Sequence, residues 1–215
     1  MQLVSVDTHQ AYNKIRDMII TLELKPGTVV NEQVLAEQLD LGHTPVREAL
    51  KLLVHDNLVE IKKHQGLYVS EINKKDLEML SEVSVLMEGY AARLATDRAT
   101  EDDITIMEAL IDEQKDIPDE DKQAWFEIDH KLHQAIAAAA HNRYLSESLE
   151  YYFLLSQRLW YLVLPKIQFL SLAVHEHADL VKAIQNRNPG VAENIMTSHV
   201  QSFYNKVREI IELDE

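Results

Sequence analysis

The sequence predicts a mainly α chain in two parts: a small module of helices and a β-hairpin over residues 1–72, then an all-α bundle of about six helices over 73–215. Three observations carry this. From Glu32 to Val69 the chain reads helix, turn, helix, hairpin in direct succession. From Lys74 onward the apolar residues recur with helical period and no alternating strand pattern follows. The formal charge of −15 is also unevenly spread, because Met1–Lys75 carries nine Lys and Arg against ten Asp and Glu, and the remainder carries 12 against 26.

Taken in order, Ala11 to Leu22 places Ile15, Met18, Ile19 and Leu22 on one helical face, and Leu24-Lys25-Pro26-Gly27 ends it. Thr28-Val29-Val30 is expected as a short strand against the later hairpin. Gln33 to Leu39 is a short helix with Val34, Leu35 and Leu39 as its apolar face. The turn Asp40-Leu41-Gly42-His43 follows, with Gly42 expected in the left-handed geometry of a helix exit. Thr44 is expected as N-cap and Pro45 at the first helical position of the next helix, where a missing N–H costs nothing. That helix has an inner stripe of Val46, Ala49, Leu50, Leu53 and Val54, which leaves Thr44, Arg47, Glu48 and Lys51 facing outward. Leu58 to Ile61, the basic tip Lys62-Lys63-His64-Gln65-Gly66 and Leu67 to Val69 then form the hairpin, and Gly66 allows a close approach to another backbone.

The second part starts after Ser70–Asn73 without a glycine-rich linker. Its first helix runs from Lys74 to Arg98 with Leu77, Leu80, Met87, Ala91 and Leu94 inward. The next follows the cap Thr100-Glu101-Asp102-Asp103, with Ile104, Met107 and Ile111 on its stripe. A third follows Pro118 to about Ala140, a fourth runs from Tyr144 to Leu164 and stops at Pro165, and the last two flank Pro189-Gly190. Trp125, Tyr152, Phe153, Trp160 and Phe203 are expected in core or dimer packing rather than as a ligand cage.

The first part has the order of a DNA reader. The start of the second helix in a helix-turn-helix meets base edges in the major groove, so Arg47 is placed to read guanine O6 and N7, and Lys51, one turn on, to meet phosphate. Any one of these residues alone is also what a solvated helix face or a solubilising hairpin tip contains; their succession points to double-stranded DNA. An acidic body outside a nearly neutral module is compatible with that.

Composition excludes several classes. With no cysteine there is no disulfide frame and no thiolate metal site. Met1-Gln2-Leu3-Val4-Ser5 lacks the basic-then-apolar pattern of a signal peptide, and no apolar run approaches the roughly 18 residues of a membrane helix, so a cytoplasmic location and no membrane partner are expected.

A second constellation lies in the helical part. Asp129 and His133 are one turn apart, and His177 and His199 lie 12 residues before and 10 after Pro189. At ~1.5 Å per residue, antiparallel helices joined there bring both imidazoles to heights of about 18 and 15 Å, nearly level. One carboxylate and three imidazoles suit a divalent ion, with zinc first and nickel or manganese as alternatives, and one or two positions left for water or a ligand oxygen. Spacing alone, in a chain with ten histidines, favours an ordinary surface pair and two satisfied histidines. His130 and His175 point about 100° and 200° away from the ligand face.

Leu24-Lys25-Pro26-Gly27, Asn31-Glu32, Leu35-Ala36, Leu39 and HTPVREALKLL from His43 to Leu53 resemble the winged helix-turn-helix of GntR-type bacterial transcription regulators over the first third of the chain. Asp129-xxx-His133, His141-Asn142-Arg143-Tyr144-Leu145, Glu176-His177 with Ala183, and His199 are similar to the FCD-type ligand-binding domain of the FadR branch, in its shorter, six-helix subtype. The resemblance implies that Arg47 contacts DNA and that Thr44 contacts phosphate; with them His43, Lys51, Lys62, Lys63 and Gly66, from the helix and hairpin reading, make up the expected DNA face. It also implies that Asp129, His133, His177 and His199 hold a metal that helps bind a small carboxylate effector. Many relatives carry Arg or Ser-Arg where this chain has Gly42-His43. An arginine common a few residues before Glu88 is replaced by Ser84, which leaves Arg93 and Arg158 as the substitutes. The expected function is a homodimeric, effector-controlled regulator, a repressor, on a palindromic operator. The alternatives are a metalloenzyme using the Asp/His3 set, and a constitutive dimeric DNA-binding protein with a structural metal.

Overall fold

A computed structural model describes residues 5–118, 120–166 and 171–212, with the side chains of 171–175 and 212 left aside. It divides into two units: Met1–Asn73 with Gln157–Leu162, and Lys74–Ser156 with Val163–Glu215.

In the first unit, α1 (Val6–Ile20) starts five residues before the expected Ala11, because Ser5 caps it and its hydroxyl accepts the Thr8 N–H at 3.2 Å. Ala11, Ile15, Met18 and Ile19 are buried, while Leu22 falls beyond the helix at φ 62°. β1 (Val29–Val30) is the expected short strand. α2 (Glu32–Leu39) is capped by Asn31, whose carbonyl accepts from the Gln33 and Val34 amides. Its buried face is Leu35 and Ala36, whereas Val34, expected inward, is 54% exposed, since it lies about 100° around the helix from Leu35.

The turn between the two reader helices differs from expectation. Asp40 takes the left-handed exit (φ 54°, ψ 48°), and Gly42 is extended at φ −67°, ψ 153° as N-cap of α3 (His43–His55). Thr44 and Pro45 are therefore the second and third helical residues rather than cap and first. Proline remains free of cost there, because the first four helical amides have no partner within the helix. Val46, Ala49, Leu50 and Leu53 form the buried stripe, and Val54 is half-buried. β2 (Val59–Lys62) and β3 (Gly66–Val69) make the hairpin, with sheet order β1-β3-β2, all antiparallel, and Lys62 opposite Gly66 at the tip.

The second unit holds α4 (Lys74–Arg98), α5 (Glu101–Lys115), α6 (Lys122–Ala139), most of α7 (Arg143–Val163), α8 (Ser171–Gln185) and α9 (Pro189–Glu212), six α-helices among the described residues. A 3-10 turn at Leu164–Lys166 follows α7 where Pro165 stops it. α4 packs along α9, where Ser84 bonds Tyr204 and Gly89 meets Thr197; Ser81, Ser84, Gly89, Ala91, Ala92 and Ala95 are buried, Ala91 in a cluster with Ala137, Ala140 and Leu149, whereas Leu80, Met87 and Leu94 are half-buried. A Cβ on Gly89 would lie 3.1 Å from Thr197 Oγ1, so glycine permits this approach. α5 opens with the Thr100–Asp103 capping box and buries Ile104, Met107 and Ile111. No helix among the described residues is long and apolar enough to cross a membrane.

Candidate functional site

The helical unit gathers one carboxylate and three imidazoles. Asp129 and His133 project from neighbouring turns of α6, His177 comes from α8 and His199 from α9. One ligand atom from each lies within 4.8 Å of all the others. Asp129 Oδ1 is 3.3 Å from His177 Nε2, 3.6 Å from His199 Nε2 and 3.9 Å from His133 Nε2, and the His177 and His199 Nε2 atoms are 3.2 Å apart. A tetrahedral shell with bonds of about 2.0–2.1 Å has edges of roughly 3.4 Å, so these separations have the scale of one coordination sphere.

Each imidazole is held by its other nitrogen. His133 Nδ1 pairs with Glu88 of α4, His199 Nδ1–H donates to Glu176 at 2.8 Å, and His177 Nδ1 lies 3.1 and 3.3 Å from the amide head of Gln114 on α5. That fixes all three rings with Nε2 toward Asp129, the arrangement that orients metal-ligating histidines. His177 is 1% exposed, and His133 Nε2 is buried without a hydrogen-bond partner among the described residues, as expected of an atom that needs a cation. The donor set, one carboxylate oxygen and three imidazole nitrogens, fits a borderline divalent ion such as zinc or nickel.

The electrostatics agree with a cation-seeking centre. Burial would raise the Asp129 carboxyl, yet the facing His133, His177 and His199 hold it well below the usual carboxylate range. His199 is pushed down by burial but further up by Asp129 and Glu176, to about 9. Burial wins at His177, whose affinity for a proton is lowered, and loses at His133, where Glu88 and Asp129 raise it. Three neighbouring carboxylates, Asp129, Glu88 and Glu176, thus favour positive charge here.

Gln114 was not foreseen from the sequence. Its signal was available: it continues the core stripe Ile104, Met107, Ile111 at helical spacing, and a polar residue on such a stripe calls for a buried partner. His130 lies off the cluster, its ring stacked on Phe153 at 3.4 Å between centroids. The His175 side chain falls outside those described.

The effector candidates are scattered. Ser84 hydrogen-bonds Tyr204 Oη at 3.0 Å in a buried chain that continues to Ser156. Arg93 is exposed and paired with Glu193 at 2.8 Å. Arg158 is 4% exposed, belongs to the piece of α7 grouped with the first unit, and donates to the Ser70 carbonyl; burial pushes its pKa down to about 10. Within the helical unit, the described contacts of Ser84 and Arg93 do not include any of the four clustered residues.

In the first unit His43, Thr44, Arg47 and Lys51 are exposed on α3. Arg47 Nε donates to Glu32 at 3.0 Å. Lys51 pairs with Glu48 at 2.7 Å. At the hairpin Lys62 lies over the Tyr68 ring at 4.6 Å and pairs with Glu60 and Glu71. Lys63 and Gly66 are exposed, and Gly66 has φ 107° with no atom near a notional Cβ.

Comparisons with known proteins agree with both units. Residues 7–69 match the model of bacterial regulatory proteins of the gntR family, and residues 79–202 match the FCD domain. The HTH-type transcriptional repressor RspR of Escherichia coli (strain K12) is 27% identical over 203 residues, 94% of this chain and 89% of that protein. The HTH-type transcriptional regulator LutR of Bacillus subtilis (strain 168) is 28% identical over 206 residues, 85% of this chain and 93% of that one. The solved structure of E. coli McbR/YncC shares the fold with a TM-score of 0.79 at 22% identity, covering 97% of this chain and all of the other.

Proposed function

The chain belongs to the gntR family of bacterial regulatory proteins, carries an FCD domain and is a transcription regulator rather than an enzyme; from this premise we propose that it is a homodimeric repressor whose grip on a palindromic operator is set by a small effector, a carboxylate, at a divalent-metal site formed by Asp129, His133, His177 and His199. The observation that carries this reading is the convergence of three histidine Nε2 atoms and one Asp129 oxygen within 4.8 Å in the helical unit, away in sequence from the DNA-reading Arg47.

When bound, a divalent ion supplies Lewis acidity and, if it is five- or six-coordinate, open positions for a ligand oxygen. Asp129 and His133 join α6, His177 joins α8, and His199 joins α9 to one point, so a ligand arriving there biases the packing of three helices together. Glu88 extends the linkage to α4 through His133. That bias is the differential interaction through which an effector shifts the protein between a DNA-binding and a released state. At the operator Arg47 reads guanine while Thr44, His43, Lys51, Lys62, Lys63 and the Gly66 turn meet the backbone.

The test is operator affinity with and without chelator and across a panel of small carboxylic acids, measured by fluorescence anisotropy on an operator selected from random duplexes. The reading expects an acid that changes affinity at least fivefold in metal-loaded protein and not in stripped protein. No change with any acid or with chelation overturns the regulatory coupling. Unchanged operator binding after D129A and H133A would instead favour a constitutive DNA-binding protein with a structural metal.

A further inference from the structure

Three buried hydroxyls form one chain across the helical unit. Ser84 Oγ of α4 lies 3.0 Å from Tyr204 Oη of α9, which lies 2.7 Å from Ser156 Oγ of α7. The direction of this chain follows from counting protons, since each hydroxyl has one to give. Ser156 gives its own to the Tyr152 carbonyl at 2.9 Å, so it accepts from Tyr204, and Tyr204 in turn accepts from Ser84. Burial pushes the Tyr204 phenol up to about 12, which keeps its proton in place at neutral pH. Two further observations concern Ser156. A serine that bonds back to the carbonyl four residues earlier competes with the helical ladder, and it softens or bends a helix at that point. The division between the two units also falls in α7 directly after it, because Ser156 is grouped with the helical unit and Gln157–Leu162 with Met1–Asn73. The other members of the chain sit on helices that serve the metal centre: Ser84 is one turn before Glu88, the partner of His133, and Tyr204 is ~7.5 Å along α9 from His199.

We propose that Tyr204 clamps a hinge in α7 at Ser156 and thereby passes the state of the metal centre to residues 157–162, the piece of α7 grouped with the reader. In the closed clamp the phenol proton holds Ser156, and α7 keeps one course through that residue. Moving α4 and α9 relative to α7 stretches one of the two bonds at Tyr204 and frees the hinge. A metal ion draws α9 toward α6 and α8 through His199 and holds α4 through Glu88 and His133, so occupancy favours the closed clamp. By linkage, opening of the hinge lowers metal affinity by the same factor. Tyr204 is a positioning residue, since its hydroxyl bonds Ser84 and Ser156 and none of the four ligands. The coupling to metal rests on the metal reading given above; the hinge and its clamp do not.

The test is hydrogen–deuterium exchange of the full-length protein, read by mass spectrometry on peptides covering 157–162 and, as the part of α7 before the hinge, 143–150. Wild type, Y204F and S156A are compared, each chelator-treated and zinc-loaded. Without zinc, Y204F is expected to exchange about fivefold faster than wild type at 157–162 and less than about twofold faster at 143–150, the mark of a local opening rather than a global one. Zinc is expected to slow exchange at 157–162 about threefold in the wild type and to leave it unmoved in Y204F, which still binds zinc within about threefold of wild type by calorimetry. S156A, which removes the hinge itself, is expected to exchange alike with and without zinc, and it carries the coupling test if Y204F folds poorly. Equal acceleration of both peptides in Y204F, or of neither, overturns the clamp. A zinc effect at 157–162 that survives in either variant overturns the coupling. Zinc failing to bind the wild type counts against the metal reading and the coupling with it, while the zinc-free comparison still decides the clamp.

Discussion

At the scale of single residues, orientation by a second contact recurs at both sites. Glu32 engages Nε of Arg47, and in the proposed reading the terminal nitrogens meet guanine. Arg47→Ala is therefore expected to cost about 1–3 kcal/mol per operator half-site and to do little on random DNA. Competition binding between operator and scrambled duplex checks this, and equal losses on both would assign Arg47 to phosphate. Glu32→Ala is expected to reduce the same discrimination while preserving non-specific binding. In the helical unit Glu176 supports His199 and Gln114 supports His177. E176Q is expected to weaken zinc binding about 10- to 100-fold, as losing an outer-shell partner commonly does, with the fold intact by circular dichroism. Spacing put Asp129 and His133 on one helix face and His177 and His199 at near-equal distances from Pro189, but it was the resemblance to the FCD-type domain that singled these four out as a metal set. Gln114 was not legible, because its partner lies 63 residues away and only tertiary packing brings them together.

Among the elements, α4 and α9 carry the sharpest constraint. Gly89 faces Thr197 and Glu193 at contact distance. G89V is expected to destabilise the protein by about 1–3 kcal/mol through overpacking, read from denaturant unfolding. Because α4 also carries Glu88, the same variant should weaken zinc binding. T100A, which removes the side chain that closes the α5 capping box, should cost about 1 kcal/mol and leave zinc affinity alone, separating general stability from site geometry. Element types and most boundaries were readable from periodicity and from Pro165 and Pro189. The turn between α2 and α3 was not: both Asp40 and Gly42 tolerate left-handed geometry, and composition does not say which one uses it. The lateral order of α4, α6 and α7, which brings Glu88, His133 and Phe153 to the wall of one cavity, has no signature within any single helix.

For the molecule as a whole, charge is divided by part, with nearly all the net negative charge outside residues 1–75. If Lys51, Lys62 and Lys63 of two copies each neutralise a phosphate, Z is about six and log K should fall against log salt with a slope near −5. A salt series on the operator checks this, and a slope near zero would remove the phosphate contacts. Metal loading should add stability by mass action, about 2.7 kcal/mol at a hundredfold excess over Kd, seen as a lower melting temperature after chelation.

The central claim is that Asp129, His133, His177 and His199 hold one divalent ion. Calorimetric titration of untagged, chelator-stripped protein with zinc tests it most directly, comparing the wild type with D129A, H133A, H177A and H199A. The account predicts one site per chain and a loss of at least a hundredfold in affinity in every variant. Zinc binding that is absent from the wild type, or that survives all four substitutions, would contradict it.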